Sequence, residues 1–447
     1  MAASTLPRTA NDLGRELNSV GASFTIVTSL LLLMLPKRLA VLPLLLAAMW
    51  MTRNQEIEVA GGHFTVLRIL VFVGILRVLA KGEGLAGGWT LLDKLMLSWA
   101  LLLVGTSAFH TSDAWVYRLG IVWGEVGCYF LLRVFLASPE DVTTAFRFVC
   151  WVVLPLGALM LLEKMTGQNP FGFLGTLPVS LVRDGHVRAA GPFAHPIAAG
   201  TVGSTCIAIG IYMWRRSKLT ALAGLLGSLG MVFAATSSGP ILMTLSIALG
   251  LMFWPLRWHM NRVRQLALAA ILGLQAVMND PVYFLVARID ISGGSQGYFR
   301  AQLIRSSIEH LDEWWLVGTD YTRHWMGSGI YANENHTDIV NHYLAMGVLG
   351  GLPLMLLFIL VIVAAFRSAG RAMAEHKNED GQSFLAWLLG AILFGHVINF
   401  VSVSLFDQSI VFFYLPLAAI CAIQAQRPAK PDLRPSRAYA RPLSVRP

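Results

Sequence analysis

The sequence predicts an all-α, polytopic transmembrane helical bundle of about 12 helices with one large folded loop outside the membrane. Three observations predict it. Hydrophobic side chains make up 55 % of the 447 residues and charged ones only 13 %, where a soluble chain carries about 25 % charged residues. The apolar residues fall in long runs separated by short polar pieces, which is the pattern of repeated membrane crossings rather than of soluble domains. The runs are also too long and too irregularly spaced for the tilted strands of about ten residues that build an outer-membrane barrel.

Along the chain, a polar segment at 1–19 carries no cleavage box for a signal peptide. The first part of the bundle is expected over 20–280, with apolar runs near 20–35, 39–51, 64–80, 95–109, 115–137, 148–162, 192–214, 219–235, 239–256 and 264–280. Several are shorter than the roughly 20 residues that cross a bilayer upright. The first two, split by Pro36-Lys37-Arg38, are expected to include one partial crossing. A loop follows at 281–342, then the last part of the bundle at 343–425 and a basic polar tail at 426–447.

The formal net charge of +9 is distributed as short basic clusters between apolar runs: Arg215, Arg216 and Lys218; Arg257, Arg262 and Arg264; Arg367, Arg371 and Lys377. Such clusters hold loops on the cytoplasmic side. No continuous basic stripe exists of the kind that nucleic acid requires, so no nucleic-acid partner is expected. Counting back from the basic tail puts all three clusters inside and 281–342 outside. That outer loop has the opposite balance, with eight acids against four arginines between Asp280 and Asp338. Arg8 and Arg15 argue for an inward N-terminus. The four cysteines, Cys128, Cys150, Cys206 and Cys421, lack metal or redox spacing and are read as small buried apolar residues.

A loop of about sixty residues between spans calls for internal structure. The stretch YFRAQLIRSSIEHLDEWWLVG reads as an amphipathic helix ending near Trp314-Trp315, and glycines mark turns beyond it. A second outer segment re-enters the membrane after Pro196. The outward residues suited to chemistry are Arg188, His195, Arg300 and His336. Arg188 and Arg300 offer planar paired donors for phosphate, with Arg305 as a competitor five residues on. His336, between Glu334 and Asp338, suits a general base, because imidazole titrates near neutrality and a neighbouring carboxylate can orient it. Glu334, His336, Asp338 and His342 match no strong zinc spacing, so no metal and no other cofactor is expected. Asp93, Asp113, Glu125 and Asp407, near the spans, are what a transporter reading would use. The small residues ATSSGP at 235–240 are read as permitting close helix packing.

Three segments, RAAGPFAHPIAAG, FRAQLIRSSIEHLDEWWLVG and NENHTDIVNHYLAMGVLGGLP, resemble in order the conserved blocks of the bacterial O-antigen ligase and O-antigen polymerase superfamily. The first matches at Arg188, Gly191 and Pro196, the second at Arg300 and Gly318, and the third at His336, Gly347 and Gly350. Thr337 stands where the family usually has asparagine, and Ile304 where it often has tryptophan. The resemblance implies a GT-C type bundle of about twelve spans in the bacterial inner membrane. It also implies a glycosyltransferase acting on the periplasmic face with an undecaprenyl-diphosphate-linked glycan donor. Arg188 and Arg300 would hold the diphosphate, and His336 would activate the acceptor hydroxyl. Arg305, His195, Glu334 and Asp338 are expected around the substrate. The acceptor is another lipid-linked glycan in a polymerase, for which a chain-length regulator is a further expected partner, or a lipid A core sugar in a ligase.

Overall fold

The computed structural model describes residues 16–59, 62–288, 297–327, 332–406 and 408–426. Arg8, Arg15, Asp290, Asp407 and the tail after Gln426 lie outside the described residues. Every apolar run of the sequence is helical. In order, the helices are α1 (Ser19–Met34), α2 (Val41–Trp50), α3 (Val66–Lys81), α4 (Leu91–Gly105), α5 (Asp113–Phe135), α6 (Pro139–Thr166), α7 (Pro196–Met213), α8 (Lys218–Ala235), α9 (Ser238–Met252), α10 (Met260–Val277), α11 (Gly297–Glu309), α12 (Leu311–Trp314), α13 (His342–Glu375), α14 (Asp380–Asn399) and α15 (Ser409–Ala425). Two antiparallel hairpins interrupt them, β1 (Glu56–Val59) with β2 (Gly62–Thr65) and β3 (Leu181–Arg183) with β4 (His186–Arg188).

The expected count of about twelve spanning helices does not hold, and with it falls the GT-C type bundle of about twelve spans that the resemblance implied. Among the described residues, six segments are long and apolar enough to cross a membrane: Leu91–Phe109, α6, α7, α8, α13 and α14. A seventh arises only if α9 and the stretch Trp254–Val277, bent by 71° from it, form one broken span. The physical reason lies in length and charge. At 1.5 Å per residue, the 10 residues of α2 reach about 15 Å, half the hydrocarbon core. α5 has 23 residues but carries Asp113, Arg118, Glu125 and Arg133 along its length. α15 is apolar because protein surrounds it, being buried continuously from Val411 to Ile423. Hydrophobicity on all sides marks such a core helix as readily as a membrane span.

Small residues set the helix spacing. A Cβ on Gly157 of α6 would overlap the carbonyl of Gly227 in α8, and one on Gly227 would overlap the Val153 carbonyl. The backbones therefore touch, as in small-residue helix pairs. The ATSSGP turn behaves as expected: Pro240 lies against Gly200 of α7, and Ser204 Oγ donates to the Pro240 carbonyl at 2.9 Å. All four cysteines are buried and free.

Two of the charges that a transporter would use, Asp93 and Glu125, are satisfied internally, while Asp113 is exposed. Asp93 caps α4 through Thr90 and accepts from Arg133 Nε at 3.0 Å and Tyr129 OH at 2.7 Å. Tyr414 OH donates to Glu125 at 2.7 Å.

Two ends of the bundle differ in character. α6 finishes, and α7, α9, α13 and α15 begin, at the end occupied by the hairpin β3–β4 and the loop helices. Contacts across that end include Ala189 N to Ala234 O at 3.0 Å and His342 N to Phe400 O at 2.9 Å. The opposite end carries Arg215, Arg216 and Lys218 between α7 and α8, and Arg367, Arg371 and Lys377 around the α13–α14 connection.

The loop is a folded unit with its own small core of Leu303, Trp314, Trp325, Met326 and Val348. It docks on a break in α13. Gly350 and Gly351 leave helical geometry there, Gly351 with φ +75°. The loop backbone fills the gap, with Thr319 N donating to Val348 O at 2.9 Å and Leu352 N donating to Trp315 O at 2.8 Å.

Candidate functional site

The site begins with a hairpin. Asp184 and Gly185 both have positive φ, +51° and +77°, the geometry of a two-residue turn between twisted strands. Pairing of Leu181 with Arg188 and Arg183 with His186 puts Arg183 and Arg188 on one face of the ribbon. Past Arg188 the chain is locked by Glu163 at the end of α6, which is fully buried. Its carboxylate accepts from Ala190 N at 3.0 Å, Gly191 N at 2.8 Å and Ser180 Oγ at 2.9 Å. Asn169 Nδ2 adds a bond to the Gly191 carbonyl at 2.9 Å. Arg188 is therefore presented from a backbone fixed on both sides.

Arg188 is 8 % exposed, and its buried Nε has no hydrogen-bond partner. Burial lowers its pKa, and the guanidiniums of Arg183 and Arg300 lower it further. Arg300, on α11, reaches the same region and donates from Nε to the Ser402 carbonyl at 3.1 Å. Burial, and then Arg183, lower its pKa, while Asp338 acts in the opposite direction. Burial raises the Asp338 carboxyl and Arg300 counters it. Among the described residues neither Arg188 nor Arg300 forms a salt bridge, whereas Arg183 pairs with Asp184 at 3.7 Å. Three arginines thus converge with less acid than they need.

His195 caps α7, its Nδ1 accepting from Ile197 N at 3.1 Å. That acceptor role puts the ring proton on Nε2. Burial pushes its pKa down to about 4, helped by Arg188 and Arg183, so near neutral pH it is an uncharged donor. A histidine depressed below its unfolded value near 6.5 contributes stability that is complete above that value and lost as pH falls toward 4. His195→Asn keeps an oxygen acceptor at the cap and is expected to flatten the loss of thermal stability between pH 6.5 and 4. An unchanged slope in detergent melting curves would count against this assignment.

His336 is half-buried in the loop, two residues before Asp338 in the chain. Its Nδ1 lies 3.3 Å from Thr322 Oγ1, a hydroxyl that also accepts from Thr337 N at 3.2 Å. Asn333 Oδ1 accepts from its backbone N–H at 2.8 Å. Burial lowers the imidazole pKa, and Asp320 partly restores it. Asp320 is itself anchored to the bundle, with His110 Nδ1 at 2.7 Å and Thr111 N at 3.1 Å. With Nδ1 beside Thr322, Nε2 is the ring nitrogen left for other contacts.

The fold thus couples Arg188, Arg300, His195 and Asp338 in one electrostatic group, while the charge acting on His336 is that of Asp320. Arg305 is not in that group. It faces solvent and pairs with Glu309 at 2.9 Å, one helical turn on. Glu334 is also exposed, its backbone carbonyl accepting from Arg323 Nη1 at 3.1 Å. Arg183 belongs to the group and was missed in the sequence. The Asp-Gly pair one residue beyond it was the available signal, since that dipeptide between short apolar stretches specifies a hairpin.

The glycines of the resembling segments also meet. A Cβ on Gly347 would strike the Trp314 ring, and one on Gly318 would overlap the Val348 carbonyl. Gly350 forms part of the break into which the loop docks. No protein-family model matches this chain, and no curated protein matches it significantly.

Proposed function

We propose that the protein is a membrane glycosyltransferase that uses a polyprenyl-diphosphate-linked glycan donor, an undecaprenyl lipid in a bacterial inner membrane, with its site facing the periplasm. One observation carries the reading: Arg188, buried and paired with no carboxylate among the described residues, sits in the field of Arg300 and Arg183. Such a group is stabilised by a multivalent anion, and a diphosphate gains charge as the glycosidic bond to it breaks. His336 would take the proton of the acceptor hydroxyl as that oxygen attacks the anomeric carbon, and its neutral form is favoured by burial. The lipid already activates the sugar, so the chemistry calls for no nucleotide-sugar domain.

Sidedness is supported by the basic clusters at the far end of the bundle, which the positive-inside rule assigns to the cytoplasm. The meeting of Gly318, Gly347 and Gly350 supports the resemblance to the O-antigen ligase and polymerase superfamily. Within it we favour a polymerase that extends lipid-linked repeat units; a ligase acting on a lipid A core shares the same chemistry.

The test is glycan transfer by the reconstituted full chain with a lipid-linked repeat unit, with and without lipid A core. Wild type and a folded His336→Ala variant are compared. Longer diphosphate-linked chains that vanish in the variant support the polymerase, and product only on core makes it a ligase. No transfer by folded wild type with either acceptor, or transfer unaffected by His336→Ala, overturns the proposal.

A further inference from the structure

Away from the arginine group, three side chains of the loop converge in a way that neither the sequence reading nor the transfer chemistry uses. The ligand atoms of His310, Glu313 and His324 all lie within 4.8 Å of one another. His310 and Glu313 are one helical turn apart, and His324 arrives from the segment that follows α12. We propose that these residues form a binding site for a divalent transition-metal ion, zinc foremost, which clips the end of α11 to the strand of chain that supports His336.

The donor chemistry and the outer contacts both point that way. His310 Nδ1 lies 2.9 Å from the Ser306 carbonyl. A carbonyl can only accept, so the proton sits on Nδ1 and the lone pair on Nε2 is the one left to bind an ion. Metal-bound histidines are held in this manner by a second hydrogen bond. Glu313 is held likewise: its Oε2 accepts from Trp325 Nε1 at 2.9 Å, leaving Oε1 2.9 Å from His324 Nε2. That second spacing suits two ligands about 2.0 Å from one ion. The rings are braced, His324 stacking on Tyr321 with centroids 5.2 Å apart and His310 on Trp325 at 6.0 Å.

Two imidazoles and one carboxylate select zinc and its neighbours over magnesium or calcium, which prefer oxygen throughout. Three protein ligands leave a fourth position for water. Glu313 and His324 are about one-third exposed, so an ion can enter.

The consequence for the fold follows from two residues. Thr322 lies two positions before His324 and touches both His336 and the Thr337 amide. An ion joining His324 to His310 and Glu313 fixes the base of that support.

The test uses the full chain in detergent, purified without a histidine tag, with Zn²⁺ alone as probe against a chromophoric chelator. We expect one zinc per chain, a rise in melting temperature on addition, and a Co²⁺ derivative with visible absorption. His310→Ala and His324→Ala should each weaken binding at least about tenfold, as should Trp325→Phe, which leaves every ligand in place. His63→Ala, outside the cluster, should bind as wild type. Stoichiometry no higher in wild type than in the His310→Ala/His324→Ala double variant, or undiminished affinity in the single variants, overturns the site. Glycan transfer is not part of the readout, so the two proposals fail separately.

Discussion

Arg188→Met is expected to reduce glycan transfer at least about a hundredfold while leaving thermal stability unchanged or raising it. Methionine keeps the length and apolar stem of the side chain but removes the guanidinium. The activity loss follows from the role assigned to the charge, since removing one fixed donor to a developing anion costs about 10²–10³ in rate. The stability effect has the opposite sign because of what surrounds Arg188. Its Nε is buried without a partner, and Arg183 and Arg300 both repel it. In the protein without substrate that arrangement is a cost, of the kind that binding sites retain for function. Arg188→Lys preserves charge but not the planar fork, and is expected to recover only part of the activity. Paired measurements of transfer rate and melting temperature decide the matter. If Arg188→Met lowered stability and activity together, the arginine would be a structural residue, and transfer within threefold of wild type would remove it from the site.

How much of this was legible in the sequence depends on which physical signal each feature left. The helices were visible because an apolar run has few alternatives once it exceeds ten residues. Their relation to the membrane was not, because α15, buried on all sides by protein, and a true span have the same composition. α5 shows the converse: Glu125 and Arg133 are satisfied by Tyr414 and by the Asp93 network, contacts between distant parts of the chain that no local pattern records.

In the site, Arg188 and Arg300 were found as residue types suited to phosphate, and the fold brings them together. Arg305 had the same type and almost the same position. The helical period decides against it, since five residues turn it well away from Arg300 and onto the exposed face. Arg183 was overlooked although Asp184-Gly185 announces the hairpin that carries it. The pairing of His310 with His324 could not be read locally, since thirteen residues and a turn separate them.

Gly351→Ala is expected to release the loop from the bundle and abolish transfer, although the residue lies in the first half of α13 and carries no chemistry. The backbone there has φ +75° and ψ −177°, a region that only glycine occupies without strain, at about 1–3 kcal/mol for other residues. A methyl group would also overlap the Leu316 backbone, and this contact cannot relax as a flexible side chain would. Leu352 N donates to Trp315 O at 2.8 Å beside it, so moving the chains apart breaks the docking bond. Gly318→Ala should act alike from the other side, since Gly318 has φ +91° and faces the Val348 carbonyl. The natural control is Gly370→Ala in the same helix. Its Cβ would meet nothing, and alanine gains up to about 1 kcal/mol over glycine in a helix. Protease cleavage within 297–327 and tryptophan fluorescence from Trp314 and Trp325 report the loop directly. Cleavage should appear in Gly351→Ala and Gly318→Ala and be absent in Gly370→Ala. Equal protection in all three would mean that the break in α13 does not hold the loop, and Arg300 and His336 would then owe their positions to the small loop core and the Ser402 contact alone.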